Sequence, residues 1–321
     1  MKLNSVIVVI IGVISFLCCS QKVVVIADTK NFIAFDRNPD IEPIFDYDVW
    51  LINVETKDEI RLTSSAEYWE YMPVWMSDSE LLYLINPQEQ TMTEMDIVYV
   101  NLKNGKRKLL DFWTWENDPG GLGKISVDSN FRVYYGSDGM DALHTISLKN
   151  KRSEPTEIFS RKKVNLLGLE EIRDPIISPD GMKLILVACD TAKYRRLREI
   201  KQFNYDIYLY DLEEKNLERL TTGDSTYRDP VWFGNDSIVF CSNSIGNYEL
   251  YLMELKSRKM VRLTFTPDIS ETEPAVSPDH QKIAYTRSRG DWKTEIWIMD
   301  LKTKDTQYLT KGSSPAWSPA R

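Results

Sequence analysis

Residues 274–300 read PAVSPDHQKIAYTRSRGDWKTEIWIMD, and the order of signals along this stretch decides the fold. A proline opens a short apolar run, a Ser-Pro-Asp turn follows, and Ile283-AYT makes a second run. After a polar loop comes an acidic residue, Glu295, heading the alternating run IWIMD. Short apolar or alternating runs bounded by turn residues are strands. Proline presets φ for the turn, and the position after its aspartate, Gly181 in one copy and His280 in another, is one that turn chemistry explains.

Working outward, the pattern recurs. The acid-headed strand appears as Asp48-VWLIN, Asp96-IVYVN, Asp206-IYLYD, Glu249-LYLME and Glu295-IWIMD, with a weaker copy at Ala142-LHTIS. Successive copies start 48, 46, 64, 43 and 46 residues apart, which suits four-stranded propeller blades with a period of about 40–50 residues. Each copy follows an apolar strand such as Phe32-IAF, Leu184-ILVA or Ile238-VFC, and precedes a short one that often ends Arg-Leu-Thr. A proline then opens the next unit, as Pro73-VW, Pro175-II, Pro230-VW, Pro274-AV and Pro315-AW. The expected architecture is all-β, a six-bladed β-propeller over residues 32–321. Pro315–Ser318 would supply the innermost strand beside Phe32–Phe35, pairing edges that an open ring would expose. Val23–Ile26 competes for that place but lacks the Pro-Ala-Trp-Ser pattern.

The string P-x-W-S-P-D-G, then I-A-[FY]-T, [DE]-I-[YW]-x-M-D and R-L-T resembles the TolB-like, WD40-like propeller repeat. The resemblance covers roughly residues 23–321, and the ending Ser314-PAWSPAR is similar to that of TolB proteins. TolB proteins carry an additional α/β domain before the propeller, whereas only a short tether precedes Phe32 here. The resemblance therefore implies the fold and not the activity in the Tol system.

Abundant aromatics, 9 Trp, 16 Tyr and 11 Phe, suit pleated surfaces, and a net charge of −8 argues against a nucleic-acid footprint. Lys2 precedes the apolar run Val6–Leu17, too short for a bilayer span of about 20 residues and suited to a signal-peptide core. Residues 1–18 are read as a lipoprotein-type leader, Cys19 as the lipidation site and residues 19–31 as a tether, although Phe16, Leu17 and Cys18 depart from the usual Leu-small-small. The expected location is the cell envelope, lipid-anchored, periplasmic or surface-exposed; plain secretion and a retained anchor are the alternatives. Cys189 and Cys241 end apolar strand runs and are read as buried free thiols.

Alternating strands place connections on two faces. The hairpin turns of one face are short and rich in lysine, from Lys57 to Lys302, which suits solvated turns or an anionic surface. The other face carries long irregular linkers, where binding is usually placed. Asp174, Asp229 and Glu273 directly precede strand-opening prolines there, with Glu70 near the matching place, and rotation should bring them to the mouth of the central channel. Trp69, Tyr71, Trp113, Trp115, Tyr227 and Arg228 are the neighbouring candidates. Such an acidic, aromatic mouth suits a basic peptide or protein of the envelope, with a glycan stacked on the aromatics as the alternative. The cationic stretch Asp190–Tyr205, with Tyr194, Leu197 and Ile200 three apart, suits a solvated insertion, or a short amphipathic helix that folds over the mouth as a lid or contacts anionic lipid.

Catalysis has few candidates. No G-x-S-x-G and no calcium loop occur, and His144 and His280, the only histidines, fall in a strand and a turn. The expectation is a binding protein with no cofactor and no metal.

Overall fold

A computed structural model describes residues 9–13, 22–38, 47–65, 67–87, 96–110, 124–136, 142–149, 155–190, 204–290 and 293–319. Six four-stranded antiparallel sheets follow one another as blades. Blade 1 pairs Ser313–Trp317, Phe32–Arg37, Asp48–Asn53 and Glu59–Arg61, so the C-terminal strand is innermost and closes the ring as expected. Blade 2 starts at Tyr68–Ser77, blade 3 at Ser126–Val127, blade 4 at Leu169–Ile177, blade 5 at Tyr227–Phe233 and blade 6 at Ser270–Val276. One short helix, Arg161–Leu166, capped by the Ser160 hydroxyl, sits in the linker between blades 3 and 4. No helix among the described residues is long and apolar enough to cross a membrane.

The core is split into six clusters, one between each pair of neighbouring blades. Successive side chains of a strand point to opposite faces, so each middle strand feeds two clusters. In blade 5, Ile238 and Phe240 pack against blade 4 while Val239 and Cys241 pack against blade 6. In blade 6, Ile283 and Tyr285 face blade 5 while Ala284 faces blade 1. Burial on both faces explains why these strands read as unbroken apolar runs.

The repeat's polar letters tie each blade to itself. Arg61, Arg219 and Arg262 of the Arg-Leu-Thr strands pair with Asp48, Asp206 and Glu249 heading the third strands. Each arginine also donates Nε–H to the carbonyl of its threonine, at 3.1, 3.0 and 2.7 Å. The threonine hydroxyls accept from Val49, Ile207 and Leu250 N–H at 2.8–2.9 Å. In the Ser-Pro-Asp turns Ser178 and Ser277 donate to Asp180 and Asp279 at 2.6 Å, and His280 adopts φ +56° where Gly181 has +75°. The turn reading of His280 therefore holds.

Tryptophans of the Pro-x-Trp strands tie blade to blade. The indole N–H groups of Trp75, Trp232 and Trp317 donate to the carbonyls of Ala316, Ile176 and Ala275, each the residue after the proline of the preceding blade's inner strand, or of the equivalent strand. The N-terminal segment joins the fold differently from a free tether or an inner strand. Lys22–Val25 pairs with Val9–Val13, Ile26 N–H donates to Leu102 O at 2.8 Å, and Val24 and Ile26 are buried between blades 1 and 2. Cys189 and Cys241 are buried free thiols.

Candidate functional site

The inner strands share one irregularity. At Met72, Asp174, Asp229, Glu273 and Ser314 the pairing slips and φ lies between +51° and +53°. A non-glycine residue in the left-handed region is uncommon and costs energy unless its surroundings hold it. Here the holding groups are visible. Met72, Glu273 and Ser314 N–H donate to the carboxylates of Asp36, Asp229 and Glu273 in the neighbouring blade, at 3.0, 3.4 and 2.9 Å. Lys124 takes the matching place in blade 3, with Ile125 where other blades have proline, and its N–H donates to Asp174 at 2.9 Å. One residue per blade thus rings the axis: Met72, Lys124, Asp174, Asp229, Glu273 and Ser314.

The three predicted carboxylates do converge, but their charge is met inside the ring. The Lys124 ammonium lies 2.7 Å from Asp229 Oδ1. Burial opposes the charge on Lys124, yet Asp229, Glu273 and Asp174 together raise its pKa well above the usual lysine value. Burial opposes the charge on Asp229 as well, and Lys124 and Arg228 overcome it and hold the carboxyl well below the usual range. Arg228 also pairs with Asp229 at 3.2 Å and stacks over Tyr248. The Cys241 thiol donates to Asp229 at 3.3 Å, and burial pushes its pKa up. The expected cation at this mouth is therefore already present, on the chain itself.

Across the ring Asp36 lies beside Glu273. Burial first, then the Glu273 charge, push the Asp36 pKa up to about 6, while Ser313 Oγ and Met72 N–H donate to its carboxylate. Met72, Lys124, Glu273 and Ser314 of this ring also line a cavity of about 310 Å³, whose largely apolar wall includes Val74, Trp75, Ile176, Val231 and Trp317.

The other predicted site residues are scattered. Glu70 is buried and accepts from Ser65 N–H at 3.2 Å. Tyr71 packs against the blade 2–3 core, and burial and the Asp36 charge raise its pKa. Tyr227 is in the blade 4–5 core, its hydroxyl on Thr222 O at 3.1 Å, because it lies inside the strand and not in the linker before it. Trp69 is half-buried in the inner strand of blade 2. Trp113 and Trp115 lie outside the described residues, as do Cys19 and residues 191–203 of the expected lid. His144 stacks on Tyr135 at 5.4 Å, and no group of three or more His, Cys, Asp or Glu that could hold a metal occurs among the described residues.

The signal the sequence reading missed is apolar exposure. Leu166 (78% exposed), Leu167, Ile245 and Phe265 (68% exposed) all sit in linkers or second-to-third hairpins, hence on the loop-rich face. On the turn face Met182 and Met260, the latter at the start of the outer strand of blade 5, are exposed as well, though less than Leu166 and Phe265.

The blade repeat has a known counterpart. The family model "TolB beta propeller domain" (PD40) matches residues 160–321. The chain belongs to this family. The Tol-Pal system protein TolB of Francisella tularensis subsp. tularensis is 34% identical over 122 residues, 37% of this chain and 26% of that protein. The crystal structure of TolB from Acinetobacter baumannii superposes with a TM-score of 0.68 at 18% identity, over 92% of this chain and 68% of that one. The tricorn protease superposes at 0.62 and 12% identity, over 87% and 26%. Likeness at such identities speaks for the fold, which hosts binders and enzymes alike.

Proposed function

We propose that this protein is a non-catalytic scaffold of the cell envelope that holds a protein or peptide partner on the loop-rich face of its propeller. Residues 1–18 act as its leader, Cys19 carries its lipid and residues 32–321 form the ring. The observation that carries this reading is the exposure of Leu166, Leu167, Ile245 and Phe265 on one face. Large side chains left in water at loop positions mark a surface that a partner covers. Arg262 stacks on Phe265 at 4.4 Å and holds it there, so the ring is presented and not collapsed onto the blade. The Francisella relative is a Tol-Pal system protein by name, which supports an envelope role with partners. The packing of Tyr71 and Tyr227 against the core favours a protein partner over a sugar stacked on aromatics.

The mouth acids take a supporting part. They hold the strained residues within the inner strands and so fix the linkers that present the apolar side chains. A photo-crosslinker placed at Ile245 or Phe265 should capture an envelope protein, and one placed at Lys215 on the turn face should not. Equal capture from both faces would refute the assignment.

A further inference from the structure

Each blade ends in an outer strand whose far side pairs with no other strand among the described residues. Such a free edge invites another strand, and proteins blunt it with charged side chains. Glu59, Lys108, Glu157, Glu218 and Lys311 stand exposed on the outer strands of blades 1, 2, 3, 4 and 6. Leu109 and Tyr308 are exposed too, each on a strand that also carries one of these charges. Blade 5 is the exception. Its outer strand, Met260–Arg262, exposes Met260 (49%) and Val261 (46%) side by side, and its charged residue, Arg262, is turned onto Glu249 and Phe265. The main chain there is equally open. Glu254 N–H donates to Lys259 O at 3.1 Å and Leu263 N–H donates to Leu250 O at 2.8 Å, so residues 259 and 263 bond inward. Inward-bonding residues alternate along an antiparallel pair, which turns the N–H and C=O of Met260 and Arg262 outward. The segment runs from the turn face to Phe265 on the loop-rich face, where Ile245 of the same blade is also exposed.

We propose that blade 5 accepts a fifth strand, an extended apolar segment with acidic flanks contributed by the envelope partner, along Lys259–Thr264 and ending over Phe265. The proposal rests on the partner reading of the loop-rich face and names how that partner is held. Met260 and Arg262 supply the main-chain bonds, while the Met260 and Val261 side chains, on opposite faces of the edge, give alternate apolar residues of the added strand something to pack on. Charge decides between a partner and a second copy of this chain. Residues 256–264 read KSRKMVRLT, with four cations and no acid. Arg258 and Arg262 pair with Glu218 and Glu249 of their own chain, whereas Lys256 and Lys259 are exposed. Two such edges laid together would set like charges along one ribbon, which opposes pairing; acidic flanks complement them.

The test uses the full propeller and, as probe, the envelope protein captured by the crosslinker at Phe265. Amide hydrogen exchange is followed with and without that protein, and dissociation constants and melting temperatures are measured for variants. Binding should slow exchange of the Met260 and Arg262 amides at least tenfold. Met260→Pro removes an outward N–H and no inward bond, and it should weaken binding at least tenfold. Val261→Glu, a surface exchange that leaves the main chain alone, should do the same with an unchanged melt. Thr306→Pro, at the matching place on the edge of blade 6, should stay within twofold. Unprotected amides, or undiminished affinity in both blade 5 variants, would overturn the added strand. If Leu166→Asp with Phe265→Asp still weakens binding in that case, the reading of the loop-rich face survives without it. Capture of no envelope protein at Phe265 overturns both. A dimer of the propeller alone that Met260→Pro dissolves would give the edge to a second copy and overturn the proposed occupant.

Discussion

At Asp36 a carboxyl is held between burial and a second carboxylate, and its chemistry sets a pH dependence. Its pKa of about 6 exceeds the ordinary aspartate value of 3.8, so the folded protein binds this proton more tightly than the unfolded chain does. The stability it brings is full below the unfolded value and is lost as pH rises through about 6. Asp36→Asn removes the titration. The difference in unfolding free energy between variant and wild type should move in the variant's favour by about 2 kcal/mol from pH 4 to pH 8. Chemical denaturation at the two pH values measures it, and a pH-independent difference would contradict the placement of Asp36 beside Glu273. Lys124 is the complementary case. Lys124→Met leaves Asp229 buried without its nearest cation and should cost roughly 3 kcal/mol, read as a lower denaturation midpoint at pH 8; an unchanged midpoint would show that Arg228 alone suffices. The convergence of Asp174, Asp229 and Glu273 was legible in the sequence, since each directly precedes a proline at the same place in its repeat. Lys124 was not, because Ile125 stands where that proline would be and the long linker ahead of it hides the repeat.

At the scale of the strand, the repeat's letters prove to be ties. Sequence spacing marked Asp206, Arg219 and Thr221 as recurring, and the structure shows why they recur together: a buried carboxylate needs the guanidinium that the fourth strand brings. Arg219→Met should therefore destabilise the protein by about 3 kcal/mol, whereas Lys215→Met, in the turn of the same hairpin, should fall within about 0.5 kcal/mol. Denaturant midpoints of the two variants check this, and similar values would contradict it. The closing strand is the second case. Its Pro-Ala-Trp pattern predicted its place beside Phe32–Phe35, and Ala316 and Trp317 pair with Ala34 and Ile33. Deleting residues 313–321 removes the Trp317–Ala275 and Trp75–Ala316 ties with it. The truncated chain should melt well below the full one; a normal melt would mean that another segment closes the ring. Residues 22–26 were harder to read, because a short β-branched run suits an inner strand and a docked edge equally, and only the packing of Ile26 against blade 2 separates the two.

Over the whole molecule the six inter-blade clusters make a rigid ring with two unlike faces. The turn face carries short lysine-rich turns; the loop-rich face carries Leu166 and Phe265, the most exposed large apolar side chains among the described residues. Blade number and face assignment followed from the repeat spacing, because turn position is fixed by strand order. Exposure did not, since an apolar residue in a linker reads the same whether it packs inward, as Val164 does, or stands in water, as Leu166 does. The functional account therefore rests on Leu166 and Phe265. With the crosslinked envelope protein purified, its dissociation constant is measured for the wild type and for Leu166→Asp with Phe265→Asp, alongside the melting temperature of each. The account predicts at least tenfold weaker binding, about 1.4 kcal/mol, with the melt unchanged. Undiminished affinity with a normal melt would contradict it.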